Sequence, residues 1–175
     1  MEAIGGDTVR HRIETRLAWG ALLCAAALGA QAATVRVEFR DPDKFTDIGR
    51  PYGQERDNAL EGIRRHLEQA GGRLLPADET LSVTVTDVDL AGSFEQSQRY
   101  SHEKRVVRRT YPPKIDFDFR LTRGETVVKE GHRSIRDTTF NESLRYKDDA
   151  LGYEKQMLDN WLRREFPRPK DKPKA

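Results

Sequence analysis

Two pairs of aspartates are the residues of this sequence best suited to acid–base chemistry. Asp87 and Asp89 stand two positions apart, as do Asp116 and Asp118, so each pair can share one face of a strand. Neighbouring carboxyls can act as acid and base when burial drives their pKa values apart. Asp116 and Asp118 stand between two basic residues, a pattern typical of a solvated charge ladder. Asp87 and Asp89 are therefore the better candidates for a hydrolase-like enzyme.

Three further aspartates resemble the start of a calcium-binding loop. Asp41, Asp43 and Asp47 have part of the required spacing, but an EF-hand loop needs an acidic or amide residue at its fifth place and glycine at its sixth. Phe45 and Thr46 occupy those two places. The pattern therefore predicts a turn that ends a strand, and not a metal site.

Histidine and cysteine provide no pattern of metal ligands. His66, His102 and His132 have no metal-ligand spacing to one another, and we expect them at the surface or boundary of the fold. The single cysteine, Cys24, lies in an apolar run near the N-terminus. Phosphate-binding, dinucleotide-binding and zinc-protease motifs are all missing from the sequence. We therefore predict no metal and no cofactor, and we assign no catalytic residue.

One long polar segment, residues 93–113, contains a basic loop at residues 100–111. The loop begins and ends with tyrosine, and four of its residues are basic: Lys104, Arg105, Arg108 and Arg109. Basic and aromatic residues together can bind polyanions, which suggests lipid headgroups, lipopolysaccharide or a cell-wall polymer. The alternative is a solvated loop whose charge is partly balanced by Glu95 and Glu103. Nucleic acid is not expected as a partner.

Residues 1–32 have the pattern of a secretory signal peptide. Three arginines precede an uncharged apolar run of 14 residues at 17–30, which is too short for a membrane span of ~20 residues. The Ala30-Gln31-Ala32 sequence suits signal peptidase, so cleavage is expected before Ala33. A buried core helix is the alternative. Leu23 occupies the place before Cys24 where a lipoprotein signal needs a small residue, so we predict an unlipidated periplasmic protein with no membrane span in the mature chain.

Length and composition narrow the class of protein. The 175 residues suggest a single domain. Charged residues form 34% of the chain, yet 31 basic and 29 acidic residues leave a net charge of only +2. This balance identifies no polyanionic partner, and the composition excludes a collagen, a coiled coil, a disulfide scaffold and a multi-pass membrane protein.

Hydrophobic periodicity predicts the elements that position these residues. Alternation with period two predicts strands at residues 35–39, 81–90, 115–121 and 126–135. The alternation changes phase near Thr86, which indicates a β-bulge. Helical spacing predicts helices at residues 54–70 and 153–166, and Gly71-Gly72 would end the first of them. A hairpin turn is expected at Arg123-Gly124, and Gly131 is a candidate for a second bulge.

This element order predicts an α+β domain over residues 33–166. The one-sided strands and apolar helix stripes can bury one another if a mostly antiparallel sheet of about four strands carries both helices on one face, in β-α-β-β-β-α order. Trp161 stands in the middle of the second helix stripe, so we expect it to be buried against the sheet. The Pro- and Lys-rich tail at residues 167–175 is predicted to be disordered.

Several ordered motifs resemble a known family. They are F-x-D-P-x-K-F-T-D at residues 39–47, T-V-T-D-V-D-L-A-G at 84–92, P-P-K-I-x-F-x-F-x-L at 112–121, G-E-T-V-V-K-E at 124–130, S-L-R-Y at 143–146 and Y-E-K-Q-M-L-D-N-W-L-x-x-E-F at 153–166. Together they resemble a bacterial, mostly proteobacterial, family called domain of unknown function 3016. Residues 147–152 separate two elements that are continuous in the family. The resemblance implies no reaction, cofactor or catalytic residue.

The order of elements is also similar to that of the small envelope lipoproteins that assist lipid transporters, as an analogy of topology. We therefore favour an uncharacterised exported protein that acts as a binding or accessory module of the cell envelope. The alternative is a hydrolase-like enzyme that uses Asp87 and Asp89. The sequence identifies neither the ligand nor the partner nor the oligomeric state.

Overall fold

The structure is a computed structural model that describes residues 32–47, 53–96, 103–142 and 145–167. Residues 1–31 of the predicted signal peptide, His102 and nearly all of the predicted tail lie outside the described residues.

The described residues form a mixed four-stranded sheet, a two-stranded ribbon and two α-helices. In chain order the elements are β1 (Thr34–Phe39), a short 3-10 helix (Pro42–Lys44), α1 (Gly53–Leu74), β2 (Glu79–Asp89), β3 (Ser93–Gln96), β4 (Glu103–Val106), β5 (Lys114–Arg123), β6 (Thr126–Arg136) and α2 (Gly152–Glu165). The sheet has the order β1-β2-β5-β6, in which β1 is parallel to β2 and the other neighbours are antiparallel. Strands β3 and β4 pair separately, and we call this hairpin the ribbon.

Among the described residues, one hydrophobic core lies between the sheet and both helices. Buried and half-buried side chains alternate along β2 and β5, because successive residues of a strand point to opposite faces. The buried face packs against Leu60, Ile63 and Leu67 of α1 and against Leu158 and Leu162 of α2. The predicted α+β fold is thus confirmed. None of the described helices is long and apolar enough to cross a membrane.

Helix α1 continues past the two glycines that were expected to end it. It extends to Leu74, and Gly71 is buried within its last turns. A Cβ atom at Gly71 would lie 2.8 Å from Cγ2 of Val35 on β1. Glycine here permits close contact between helix and strand, so the prediction of a stop signal at this position was wrong.

The phase change in β2 is a β-bulge, as the sequence predicted. The pairing with β5 shifts between Val85 and Asp87, which leaves Thr86 as the extra residue. Val85 and Val88 are both fully buried, although they are three positions apart. The bulge therefore keeps both apolar sets of β2 on the core face.

The β5–β6 hairpin also contains a bulge, but not at the predicted position. Gly124 has a φ of 57° in the hairpin turn, a conformation that glycine adopts without strain. The register then shifts by one residue: Leu121 pairs with Lys129, whereas the next residue, Thr122, pairs with Val127. The extra residue lies between these partners, and Gly131 pairs normally within the strand. The bulge thus adjoins the turn.

The ribbon replaces what the sequence suggested was mostly a long loop. Its two strands precede and follow the undescribed residues 97–102 in the sequence, and Arg105 and Val106 lie in the second strand. Gly92 precedes the ribbon with a φ of 94°, and a Cβ atom there would lie 2.4 Å from the carbonyl oxygen of Val106. Backbone pairing between polar strands is invisible to hydrophobic periodicity, which explains the difference.

Trp161 is buried against the sheet, as predicted. Its exposed fraction is 5%, and its ring centre lies 4.5 Å from that of Phe117 and 5.8 Å from that of Phe119, in edge-to-face geometry. Its indole Nε1 donates a hydrogen bond of 3.3 Å to Glu165. Arg133 of β6 also donates two 2.8 Å hydrogen bonds to Glu165, and Arg133 together with Lys129 lowers the pKa of Glu165 to about 2. Helix α2 is thereby fixed to the edge of the sheet.

Candidate functional site

Asp87 has a structural contact that occupies both of its carboxylate oxygens. One oxygen accepts a 2.7 Å hydrogen bond from the backbone N–H of Thr46, and the other accepts a 2.8 Å bond from the Thr46 hydroxyl. Asp87 therefore ties the turn after β1 to the sheet. Asp89 is half-buried, and burial together with the nearby Asp87 raises its pKa.

The Asp87–Asp89 pair lies on the face of the sheet opposite the helices. In the register with β5, Asp87 pairs with Asp116 and Asp89 with Lys114, whereas the intervening Val88 points into the core. Neither aspartate lines any of three cavities that the described residues form. An open sheet face gives little means of excluding water from a reaction.

The short turn of aspartates after β1 is held by ion pairs. Asp41 has a φ of 52° and lies 3.2 Å from Lys44, and Asp43 pairs with Arg56 of α1. Among the described residues, no group of three or more His, Cys, Asp or Glu side chains is arranged to hold a metal ion.

The structure separates the cations of the basic loop. Arg108 donates two hydrogen bonds of 2.9 and 3.0 Å to the carboxylate of Glu95, the residue expected to balance the loop charge. Arg109 lies 3.8 Å from Glu142. The side chain of Lys104 lies outside the described part of the structure. Arg108 and Arg109 are thus exposed cations with acidic neighbours, and anion binding by the whole loop stays a prediction.

Arg105 differs from the other loop cations because it points into the body of the domain. Its side chain is only 18% exposed, and its Nη2 donates a hydrogen bond to the backbone carbonyl of Ala150. Its Nη1 lies 3.9 Å from a carboxylate oxygen of Glu154. Arg105 therefore joins the ribbon to the segment that leads into α2.

A cavity of about 480 Å³ opens beside Arg105, within the roughly 300–1,000 Å³ range of small-molecule sites. It lies between α1, the ribbon and the start of α2, and we call it the ribbon cavity. Its apolar part consists of Ala59, Gly62, Leu90, Ala150 and Leu151. Part of the cavity wall comes from residues 147–152, the segment that separates two of the family motifs in this sequence.

Charged groups of both signs surround this apolar part. They are Asp47, Glu55, Arg56, Arg105, Asp149 and Lys155. Lys155 pairs with Asp149, and this contact and others outweigh the opposing effect of burial and lower the pKa of Asp149. The cavity can therefore hold a molecule that has both an apolar body and a polar group.

Glu154 is the most deeply buried carboxyl adjacent to the ribbon cavity. Its exposed fraction is 0%, and Oε1 accepts a 2.8 Å hydrogen bond from the backbone N–H of Ala91. No described residue forms a hydrogen bond with Oε2. Burial raises the pKa of Glu154, although Arg105 and the Ala91 N–H act in the opposite direction.

Sequence reasoning missed Glu154, although a signal for it existed. Glu154 lies four positions before Leu158 and eight before Leu162, which places it on the buried stripe of α2. An acidic residue at such a position is an indicator of a buried carboxyl.

A second buried polar group joins the two helices. His66, expected at the surface or boundary, is only 8% exposed, so that prediction was wrong. Its Nε2 lies 2.8 Å from Asp159, whose other carboxylate oxygen accepts a 2.8 Å hydrogen bond from the Tyr146 hydroxyl. Burial opposes ionisation of Asp159, but the contacts with His66 and Tyr146 prevail and lower its pKa. This arrangement satisfies its polar groups internally, which is typical of a structural link.

The fold and the site define a small α+β domain with a sheet open on one face and a cavity between the helices and a ribbon. Residues 33–164 match the sequence model of the family described as a protein of unknown function, DUF3016, and the chain belongs to that family. The resemblance found in its motifs is thus confirmed. No curated protein matches the chain.

Proposed function

We propose that this protein is an exported binding or accessory module of the bacterial envelope, and that the ribbon cavity binds a small amphipathic molecule. The observation that carries the proposal is the combination of an apolar floor and charged walls in one cavity of about 480 Å³. Ligand sites are typically concave and mostly apolar, with a few polar groups that orient the ligand.

Export to the periplasm is supported by the N-terminal sequence. The apolar run and the Ala30-Gln31-Ala32 site have the features of a cleavable signal peptide. The family match begins at residue 33, and β1 begins at Thr34, so cleavage before Ala33 would leave the domain intact. Leu23 before Cys24 argues against lipidation.

A binding role is better supported than the hydrolase-like alternative. Asp87 uses both carboxylate oxygens to hold the turn after β1, and Asp89 lies on the same open face of the sheet. In contrast, Arg105 from the predicted basic loop reaches the ribbon cavity. The proposed site therefore includes one residue of the loop but neither of the candidate catalytic aspartates.

Filling the ribbon cavity should abolish binding of an apolar probe. The uncharged dye N-phenyl-1-naphthylamine, whose fluorescence rises in apolar surroundings, would be titrated into the protein. Ala59→Trp places a large side chain where Ala59 lines the cavity, and Asn58→Trp does so from the exposed rim. We expect either variant to weaken dye binding at least tenfold.

Gln69→Trp is the matched control, because Gln69 is exposed on the same helix and does not line the ribbon cavity. It should bind the dye as the unmodified protein does, and all variants should melt cooperatively. Equal binding by every variant, or no binding by the unmodified protein, would refute a ligand site in this cavity.

A further inference from the structure

The cations of the ribbon cavity are not equally neutralised. Lys155 pairs directly with Asp149, and Arg56 pairs with both Asp43 and Asp57. Arg105 instead bonds to a neutral backbone carbonyl, and its only carboxylate within 4 Å among the described residues is Glu154 at 3.9 Å.

The neighbouring carboxylate compensates Arg105 only in part, because its nearest oxygen is 3.9 Å away, beyond hydrogen-bond distance, and already accepts a hydrogen bond from the Ala91 N–H. Glu154 is completely buried, and removal of a carboxyl from water disfavours its ionised form. An arginine remains charged at any ordinary pH. Arg105 is therefore a mostly buried cation that lines the cavity and has incomplete compensation from the protein.

We propose that the ligand of the ribbon cavity carries an anionic head group, a carboxylate or a phosphate, which binds Arg105, and an apolar tail that packs on Ala59, Leu90 and Leu151. This inference rests on the proposed function and specifies its ligand class. The planar guanidinium donates paired hydrogen bonds to carboxylate and phosphate oxygens, and such charge-assisted bonds are stronger than neutral ones.

The acidic residues of the cavity do not remove this preference. Asp149 is already paired with Lys155, and Glu55 is exposed, where water and salt reduce its effect. The half-buried Asp47 raises the pKa of Glu154, but it forms no ion pair within 4 Å of the Arg105 guanidinium. Arg105 is only 18% exposed, so its attraction for an anion is less screened. A cationic head group at the same place would be repelled by Arg105.

Competition between three ten-carbon molecules tests the head group. Decanoate, decanol and decylammonium share a tail and differ in charge, and each would displace the bound dye from the unmodified protein. We expect decanoate to act at a concentration at least tenfold lower than decanol, and decylammonium to be the weakest. Arg105→Gln should remove the advantage of decanoate over decanol, with each competitor measured against the dye affinity of that same variant, and Arg105→Lys should restore part of it.

Two further arginine variants distinguish the cavity from the surface. Arg120→Gln is the control, because Arg120 is an exposed β5 residue paired with Glu130. Arg108→Gln removes an exposed cation that follows the ribbon in sequence and pairs with Glu95. Neither should alter decanoate competition, and a loss with Arg108→Gln equal to that with Arg105→Gln would overturn the assignment to Arg105.

The remaining outcomes separate this inference from the proposed function. Equal competition by all three molecules, or an unchanged decanoate advantage in folded Arg105→Gln, would overturn the anionic head group while the cavity remained a binding site. Failure of the dye to bind the unmodified protein would overturn both proposals. A melting curve for each variant shows whether the Arg105 substitutions are folded.

Discussion

Replacement of Trp161 by alanine should lower the free energy of unfolding by about 3–5 kcal/mol, as for other large aromatic truncations in cores. Trp161 is 5% exposed, and its ring packs edge-to-face on Phe117 and Phe119 from the sheet. Its removal leaves a cavity in the only core shared by α2 and the sheet among the described residues. The loss would be a large part of the 5–15 kcal/mol that typically stabilises a domain.

Chemical denaturation followed by circular dichroism would measure this loss. Tyr111→Ala is the matched control, since Tyr111 is an aromatic residue with 49% exposure. Its effect should be below about 1 kcal/mol, as for surface substitutions. If the two variants unfolded at the same denaturant concentration, the packing of α2 on the sheet would be incorrect.

Asp159→Ala should cost about 3 kcal/mol, because it leaves two buried or half-buried polar groups without their common partner. His66 and the Tyr146 hydroxyl each lie 2.8 Å from a carboxylate oxygen of Asp159. A buried donor or acceptor that loses its partner typically costs about 1–3 kcal/mol, and loss of one member of a buried ion pair about 3–5 kcal/mol, because the remaining group is desolvated without compensation. Since the pKa of Asp159 is lowered, its contribution is present above the unfolded value and is lost as the pH falls towards the lowered pKa.

The sheet offers a matched control in the exposed Asp118–His132 pair. The two side chains are 3.0 Å apart, but their exposed fractions are 47% and 60%. Asp118→Ala should therefore change stability by less than about 1 kcal/mol. Comparable losses for Asp159→Ala and Asp118→Ala, measured by urea denaturation at neutral pH, would contradict the buried link between the helices.

The parts of the fold that depend on apolar periodicity could be predicted from the sequence. Alternation located the strands of the sheet, and its phase change located the bulge at Thr86. The stripe of α2 placed Trp161 in the core. Such patterns report which face of an element is buried, because burial is the property that selects them.

Features that depend on contacts between distant segments could not be predicted in this way. Local sequence indicates a helix stop at Gly71. The contact with Val35 that requires a glycine there exists only in the folded domain. His66 was expected near the surface because its partner Asp159 lies on the other helix. The parallel pairing of β1 with β2 likewise depends on the path of α1 over the sheet.

The same limit applies to the candidate site. The run of basic residues made Arg105 a candidate. It did not show that Arg105 is mostly buried whereas Arg108 and Arg109 are exposed. The ribbon cavity combines residues from the β1–α1 turn, α1, the ribbon and α2, which no local pattern connects. Sequence reasoning therefore found one member of the site and missed Glu154, its buried neighbour.

Native mass spectrometry of the protein recovered from a periplasmic extract tests the central proposal most directly, because one spectrum reports both the mature chain and any bound molecule. We expect an unlipidated chain that begins at Ala33 and carries a small noncovalent adduct. The adduct should be absent from Ala59→Trp and present in Gln69→Trp. A chain retained in the cytoplasm, a lipid attached at Cys24, or the absence of an adduct from all three proteins would contradict an exported ligand-binding module.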